Sequence, residues 1–277
     1  MLLSPGMTLH NRYVISKVHE QGRENAVYLA YDEPQERDVA IKENKYPDHA
    51  HRAQFELEAV ILANLSHPNI PKASDYFVED HYQFFVMDYI EGTNLGQLMQ
   101  QRRPDTDEIL DWAAQLCDIL TYLHSLTPPV IHRDVEPSNI ILTTEGQLFL
   151  VDFGFAKIYR PEREGTTITR ANAGMLRSAE MDHTQVIDKQ IARPVVPIAT
   201  DRRSDQYSLA ATLYALLTGT PPLDSMERLA GQPKLAPIRP ARPELSYSAE
   251  DAILQALSLD QNRRFSTIEE FRIALGV

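Results

Sequence analysis

A polar loop between two apolar runs carries the residues of this chain that are best suited to chemistry. The run Val130–Ile131 leads into Asp134, and Asn139 stands directly before the run Ile140–Leu142. Further along, another β-prone run ends in Asp152. Strands that end in turns would place these two carboxylates and the amide together at the mouth of one cleft. Oxygen ligands of this kind suit a divalent metal and phosphate.

The composition is that of an acidic globular protein. The chain has 277 residues, 43% of them hydrophobic, and a formal net charge of −12, which argues against a nucleic-acid or anionic-membrane partner. No apolar run approaches the length of a bilayer span, so we expect no membrane insertion by this segment. We expect a cytoplasmic protein, or a cytoplasmic domain if the parent chain is longer. The single cysteine, Cys117, lies in a helical apolar pattern and is predicted to be a buried structural thiol.

Hydrophobic periodicity predicts an α+β fold with a small β-rich lobe and a larger helical lobe. Alternating residues predict an antiparallel set of strands at 12–15, 26–31, 38–42, 72–78 and 83–89. Helices are predicted at 52–65, 107–126, 205–217, 248–257 and 266–275. The last helix would open with a capping box formed by Ser266 and Glu269. We expect a single domain over 1–277, with an N-lobe at 10–90 and a C-lobe at 91–277.

Three ordered motifs identify the family that the chain resembles. They are Val-Ala-Ile-Lys at 39–42, His-Arg-Asp at 132–134 with Asn139, and Asp-Phe-Gly at 152–154. Their order and spacing resemble the protein-kinase signature set, and residues 10–275 resemble a bacterial serine/threonine kinase catalytic domain. The resemblance implies a bilobal fold that uses ATP and Mg²⁺ to phosphorylate Ser/Thr hydroxyls of proteins.

The resemblance assigns a role to each polar residue of the site. Lys42 would bind the α- and β-phosphates, and Glu58 matches the glutamate that pairs with it. Glu43 and Glu56 lie nearby as alternatives, but Glu56 should face solvent. Asp134 would accept the proton of the acceptor hydroxyl, while Asn139 and Asp152 would hold Mg²⁺. Met87 would be the gatekeeper of the adenine site. The full set expected around the nucleotide is Gly22, Val27, Ala40, Lys42, Met87, Asp88, Ile90, Ile141 and Asp152.

Other matching positions are expected to be structural. His132 would support the catalytic loop, and Arg133 would dock a phosphate of the activation segment. Asp205 would brace the loop from the following helix. Glu180 and Arg264 would form a buried ion pair. Regulatory phosphorylation is expected at Thr166, Thr167 or Thr169.

Three departures from the family pattern bear on activity. The glycine-rich loop keeps only Gly22, so its grip on phosphate should be weaker. Glu136 stands where serine/threonine kinases have a lysine, and Lys157 or Arg163 could replace that cation. The segment 173–180, which would seat the acceptor, lacks the family's threonine and proline.

These departures leave three functions open. An active serine/threonine kinase is favoured by the complete set of catalytic residues. A pseudokinase, acting as a nucleotide-binding or scaffolding module, is favoured by the departures. A kinase-like enzyme for small molecules is disfavoured by Asp205 together with Glu180 and Arg264.

Overall fold

The computed structural model describes residues 3–21, 25–45, 48–159, 201–223, 228 and 235–277. Contacts divide the chain into two compact units, Met1–Asn94 with Ile140–Gly154, and Leu95–Asn139 with Phe155–Val277. The sequence places the change of lobe near residue 90 and assigns 140–154 to the second lobe. The difference arises because the hairpin within 140–154 pairs with Thr93–Asn94, a contact between residues far apart in the chain.

The first unit is built on a six-stranded antiparallel sheet. Its strands are β1 (Thr8–Leu9), β2 (Tyr13–Gln21), β3 (Asn25–Asp32), β4 (Arg37–Asn44), β5 (Ala73–Glu79) and β6 (Tyr82–Asp88). They lie in the order β1-β2-β3-β4-β6-β5. All five predicted strands are confirmed, with longer bounds in most cases. Helix α1 (His49–Asn64) begins where the Asp48 side chain accepts hydrogen bonds from the amides of Ala50 and His51.

Because side chains alternate along a strand, the two faces of this sheet carry different sets of residues. One face forms a hydrophobic core that includes Tyr28, Ile41 and Val86 and that also packs against Leu3 and Leu9 near the start of the chain. The opposite face carries the residues predicted to contact a nucleotide. In the antiparallel ladder Val27 is opposite Lys42, and Ala40 is opposite Met87, so the four side chains share that face; Lys42 is two residues from Ala40 on β4.

A three-stranded sheet completes the first unit. The strands Ile140–Leu142 and Leu148–Leu150 form a hairpin, and β7 (Thr93–Asn94) pairs with the first of them. Gly92 allows the chain to approach this hairpin closely. A Cβ atom at Gly92 would lie 2.4 Å from the carbonyl oxygen of Leu142, so a larger residue would force the two segments apart.

The second unit is mainly helical. Its described helices are α2 (Leu95–Gln101), α3 (Thr106–Ser125), α4 (Arg202–Thr218), α5 (Tyr247–Ala256) and α6 (Ile268–Leu275). Helix α3 packs against α4 and α6, and α5 packs against α4 and α6. The apolar positions predicted from the periodicity of α3 are buried, namely Ile109, Ala113, Leu116, Leu120 and Leu123. None of the described helices is long and apolar enough to cross a membrane.

The N-cap of helix α6 lies one residue later than predicted. Thr267, rather than Ser266, is the N-cap, and its hydroxyl accepts a hydrogen bond from the Glu270 amide at 3.1 Å. The Glu270 carboxylate in turn accepts from the Ser266 amide at 2.8 Å. The prediction of a Ser266–Glu269 capping box is therefore wrong. Two hydroxyl residues followed by two glutamates fit the same pattern, and the side chains that must be buried decide between them.

Candidate active site

A buried ion pair joins the sheet of the first unit to its helix. Lys42 projects from β4, and its Nζ donates hydrogen bonds to both carboxylate oxygens of Glu58 on α1, at 2.8 and 3.0 Å. Both side chains are buried, whereas Glu56 is exposed, as the helical periodicity predicts. Removing one partner of such a pair costs about 3–5 kcal/mol because the other charge is left buried and unpaired.

Asp152 is the second carboxylate on Lys42. The Lys42 Nζ donates to Asp152 Oδ1 at 2.7 Å, and the Asp152 side chain is 43% exposed. Its backbone has φ 60°, in the left-handed region, and the amide of Gly154 donates to the same Oδ1 at 3.0 Å. The turn thus presents a partly solvated carboxylate beside a buried cation.

Burial and charge shift the pKa values of Lys42 and Glu58 in opposite directions. Burial raises the pKa of Glu58 above its ordinary value, against the opposing effect of Lys42, and the charge of Asp152 adds to the rise. Burial alone would lower the pKa of Lys42, but the charges of Asp152 and Glu58 outweigh it and raise that pKa. Lys42 is therefore a cation at neutral pH.

An apolar surface lies on the same sheet face as Lys42. Ala40 is buried, whereas Val27 and Met87 are half-buried. Ile90 and Ile141 are also half-buried in the same unit. Flat apolar surface of this kind suits the faces of a purine ring. The placement of adenine against these residues stays a prediction.

Asp88 is held at the end of β6 by three contacts. Its carboxylate pairs with Arg37 at 2.7 Å and accepts from the Lys72 amide at 3.1 Å. Its own amide donates to the Lys72 carbonyl at 3.1 Å. Any adenine contact by the Asp88 backbone therefore falls to its carbonyl oxygen.

In the second unit, Asp134 and Asn139 contact each other directly. The Asn139 Nδ2 donates to Asp134 Oδ2 at 2.9 Å and to the Asp134 carbonyl at 3.1 Å. A one-turn 3₁₀ helix, Pro137–Asn139, brings the amide back to the aspartate. The buried His132 accepts the Asp134 amide on its Nδ1 at 3.3 Å, which fits the supporting role expected for it.

Asp205 braces this loop from α4, as the resemblance implies. Its carboxylate is fully buried and accepts the amides of His132 at 2.9 Å and Arg133 at 2.6 Å. Arg133 has φ 72°, a conformation that costs energy for a residue with a Cβ atom. The bonds to Asp205 offset that cost and hold the loop in one shape.

Sequence reasoning missed three residues that support these groups. His124, in the last turn of α3, contacts Asp205 Oδ2 through its Nε2 at 2.8 Å. Thr212 donates its hydroxyl to the Val135 carbonyl at 2.7 Å. Gln54 donates to the Gly154 carbonyl at 2.7 Å. A polar residue on an apolar helix face was the available signal, but the sequence does not show its partner.

Glu136 is exposed on the loop that carries Asp134 and Asn139. Its carboxylate accepts a hydrogen bond from the Ser138 hydroxyl. Its backbone is tied to Asp134 and Asn139, since its amide donates to the Asp134 carbonyl at 3.1 Å and its carbonyl accepts from the Asn139 amide at 2.9 Å. An anion therefore stands on the same short loop as the predicted catalytic base.

Several predicted residues lie outside the described residues. They are Gly22, Arg163, Thr166, Thr167, Thr169 and Glu180. Lys157, the other candidate for a replacement cation, is exposed on the strand Lys157–Ile158. Asp152 belongs to the first unit, while Asp134 and Asn139 belong to the second. The convergence of Asp152 with Asp134 and Asn139 at the mouth of one cleft stays a prediction.

A β-rich unit with a buried Lys–Glu pair beside a partly exposed Asp, and a helical unit with an Asp–Asn loop, define the class of kinase-fold proteins. The family model described as "Protein kinase domain" matches residues 14–272. The chain belongs to this family, and the predicted α+β fold with a β-rich lobe and a helical lobe is confirmed.

The relatives of this chain carry serine/threonine kinase names. It is 31% identical over 280 residues to serine/threonine-protein kinase PknB of Mycobacterium tuberculosis, across 96% of this chain and 43% of the relative. It is 30% identical over 274 residues to serine/threonine-protein kinase PrkC of Bacillus subtilis, across 96% of this chain and 40% of the relative. The chain thus spans about two fifths of the length of these relatives.

Solved structures share the fold. The kinase domain of Mycobacterium tuberculosis PknI matches with a TM-score of 0.69 and 26% identity over 99% of both chains. A structure titled "PpkA-294 apo form" matches with a TM-score of 0.79 and 24% identity over 99% of both chains, and it supports the fold alone.

The residues present fit a nucleotide with Mg²⁺. Asp152 offers a partly exposed carboxylate for a metal, and the buried Lys42 beside it would supply a cation for phosphate oxygens. Within the described ranges, no group of three or more His, Cys, Asp or Glu side chains could hold a metal by itself. Mg²⁺ takes one or two protein carboxylates and completes its shell with phosphate and water.

Proposed function

We propose that this chain is a catalytic protein kinase domain that transfers the γ-phosphoryl group of ATP to Ser/Thr hydroxyls of proteins. The observation that carries the proposal is the assembled Lys42–Glu58–Asp152 set in the first unit. The braced Asp134–Asn139 loop of the second unit supports it.

Each residue has a distinct task in this proposal. Lys42 binds the α- and β-phosphates, and Glu58 keeps the lysine in place. Asp152 and Asn139 would hold Mg²⁺, which neutralises phosphate charge when it is bound. Asp134 accepts the proton of the acceptor hydroxyl as the new O–P bond forms and the bond to the ADP oxygen breaks. The hydrogen bond from Asn139 to Asp134 Oδ2 orients the carboxylate for that transfer.

The partners that follow are ATP and protein substrates, and the location that follows is the cytoplasm, where ATP is abundant. Cys117 is compatible with this setting. The thiol is buried in α3, and burial raises its pKa to about 12, so it stays protonated and unreactive. A nucleophilic role for Cys117 is not part of the proposal.

A nucleotide-binding pseudokinase is the second candidate, because Glu136 places an anion on the loop of the catalytic aspartate. Purified protein is incubated with γ-labelled ATP and Mg²⁺, alone and with a generic basic protein, beside Asp134→Asn. Label above that control is expected. Label no higher than the control, while ATP still raises the melting temperature, would establish the pseudokinase instead.

Two further outcomes have distinct meanings when choline-like and aminoglycoside acceptors are added to the same assay. If ATP shifts the melting temperature of neither the wild type nor Asp134→Asn, that would indicate a scaffold that does not bind nucleotide. Label that appears on choline-like or aminoglycoside acceptors and never on protein would indicate a kinase for small molecules. Either result would overturn the proposed function.

A further inference from the structure

Helix α1 contacts the Asp152–Gly154 turn at two levels. Glu58 reaches the turn through Lys42, whose Nζ bonds both carboxylates. Gln54 lies four residues earlier, on the same side of the helix, because residues four apart are neighbours on a helix surface. Its Nε2 donates to the carbonyl oxygen of Gly154 at 2.7 Å. All of these residues belong to the first unit.

The second contact acts on the most flexible residue of the turn. Glycine has the widest range of backbone conformations, so its peptide groups hold a direction only if something binds them. The amide of Gly154 donates to Asp152 Oδ1 at 3.0 Å, and its carbonyl accepts from Gln54. Both polar groups of Gly154 are therefore bound, one by the carboxylate itself and one by the helix.

The space around Gly154 shows how closely these groups approach. A Cβ atom there would lie 3.0 Å from Asp152 Oδ1, 3.5 Å from Glu58 Oε2 and 3.7 Å from Lys42 Nζ. A small movement of the Gly154 backbone would thus change the surroundings of all three charged groups. Asp152 already has a left-handed backbone with φ 60°, so the turn needs outside contacts to keep its shape.

We propose that Gln54 is a positioning residue, which sets the direction of the Asp152 carboxylate toward a metal by holding the Gly154 carbonyl. The inference rests on the proposed binding of ATP and Mg²⁺. Residues that orient a metal ligand from behind typically change metal affinity by 10- to 100-fold when they are replaced. We place Gln54 at the lower end of that range because the Gly154 amide still donates to Asp152 Oδ1 in its absence.

The test separates metal binding from nucleotide binding. Gln54→Met and Gln54→Leu remove the donor while keeping size and helix propensity similar. Glu56→Gln is the matched control, since Glu56 is exposed on the same helix. Mn²⁺ binding is measured by electron paramagnetic resonance with a saturating non-hydrolysable ATP analogue. Nucleotide binding without metal is measured in EDTA with a fluorescent methylanthraniloyl-ATP.

We expect the Kd for Mn²⁺ to rise about tenfold in both Gln54 variants. The Kd for nucleotide in EDTA should stay within about twofold of the wild type, and Glu56→Gln should match the wild type in both measurements. A loosened fold would weaken the two affinities in parallel, so a parallel loss overturns the inference. A Kd for Mn²⁺ within about twofold of the wild type overturns it as well.

The wild type distinguishes failure of this inference from failure of the proposed function. If the wild type binds nucleotide and Mn²⁺ while the Gln54 variants are unchanged, only the role of Gln54 is wrong. If the wild type binds no nucleotide under either condition, the proposed function is wrong, and the inference falls with it.

Discussion

At the scale of single residues, the charge of Lys42 is divided between a buried carboxylate and a partly exposed one. Glu58 holds the lysine from the protein interior, and Asp152 holds it from the side that reaches solvent. Incoming phosphate oxygens would compete with Asp152 and not with Glu58, because only Asp152 is accessible. The ion pair with Glu58 can therefore persist when a nucleotide is bound, and Asp152 is left to face a metal.

Glu136 places an anion on the loop that carries Asp134. Glu136→Lys is expected to raise turnover at least about tenfold, because it replaces an anion near the proposed phosphoryl-transfer site with a cation. One unit-charge interaction at about 4 Å and an effective dielectric constant near 20 is worth roughly 4 kcal/mol, and screening reduces it. Initial rates at saturating ATP measure the effect.

Two variants control this measurement. Glu136→Gln should give an intermediate rate, since it removes the anion without adding a cation. Glu145→Lys makes the same charge change at an exposed turn of the first unit and should leave turnover unaltered. Equal rates for Glu136→Lys and the wild type would show that Glu136 does not limit catalysis.

At the scale of elements, α4 determines the shape of the loop of residues 132–139, which is predicted to be catalytic. Asp205 lies in its first turn and accepts the two loop amides, while Thr212, two turns further along, donates to the Val135 carbonyl. Contacts at two points along one helix hold the loop more rigidly than either would alone. The strained backbone of Arg133 is maintained in this way.

Removal of the Asp205 carboxylate should therefore destabilise the second unit. Asp205→Ala leaves two buried loop amides and His124 without their acceptor, so the free energy of unfolding should fall by about 3 kcal/mol or more. Urea denaturation measures this. Asp201→Ala, which removes the N-cap of the same helix, should cost only about 1 kcal/mol. Equal losses for the two variants would contradict the bracing role.

An ion pair between Arg12, directly before β2, and Asp32, at the end of β3, makes stability depend on pH. Arg12 donates two hydrogen bonds to the buried Asp32, both at 2.8 Å, and these hold the pKa of Asp32 below its ordinary value. A carboxylate whose pKa is lower in the folded state stabilises the fold above the unfolded pKa. That stabilisation is lost as the pH falls through the folded pKa.

Asp32→Asn should consequently lower the urea midpoint at pH 7, and the difference from the wild type should shrink as the pH falls below about 4. The midpoints are compared at pH 7 and at about pH 3. Asp38→Asn, at an exposed position on the neighbouring strand, should show no such convergence. A difference that stays constant over this range would show that the pair does not couple folding to protons.

At the scale of the whole chain, we expect the net charge of −12 to favour cationic acceptors. Attraction between a negative enzyme and a basic protein is screened by salt, with a Debye length of about 10 Å at 0.1 M. We expect the KM for a basic acceptor protein to rise several-fold between about 50 and 300 mM NaCl. Assays with an acidic acceptor are the control, and their KM should fall or stay constant. A KM for the basic acceptor that is independent of salt would exclude steering by net charge.

Local information in the sequence accounts for most of the secondary structure and for the identity of the polar groups. Alternation and helical periodicity depend on neighbouring residues, so they predicted the five main strands and distinguished the buried Glu58 from the exposed Glu56. The order of the kinase motifs selected Lys42, Asp134 and Asp152 as candidate site residues through the family resemblance that those motifs carry.

Tertiary structure decided the contacts between residues that are distant in the chain. It placed the hairpin of 140–154 in the first unit, joined Gln54 to Gly154 and joined His124 to Asp205. A glutamine or histidine on a helix has many possible partners, and the sequence contains no local pattern that selects one. The selection comes from packing, since burial leaves a polar group stable only where a partner lies within hydrogen-bond distance.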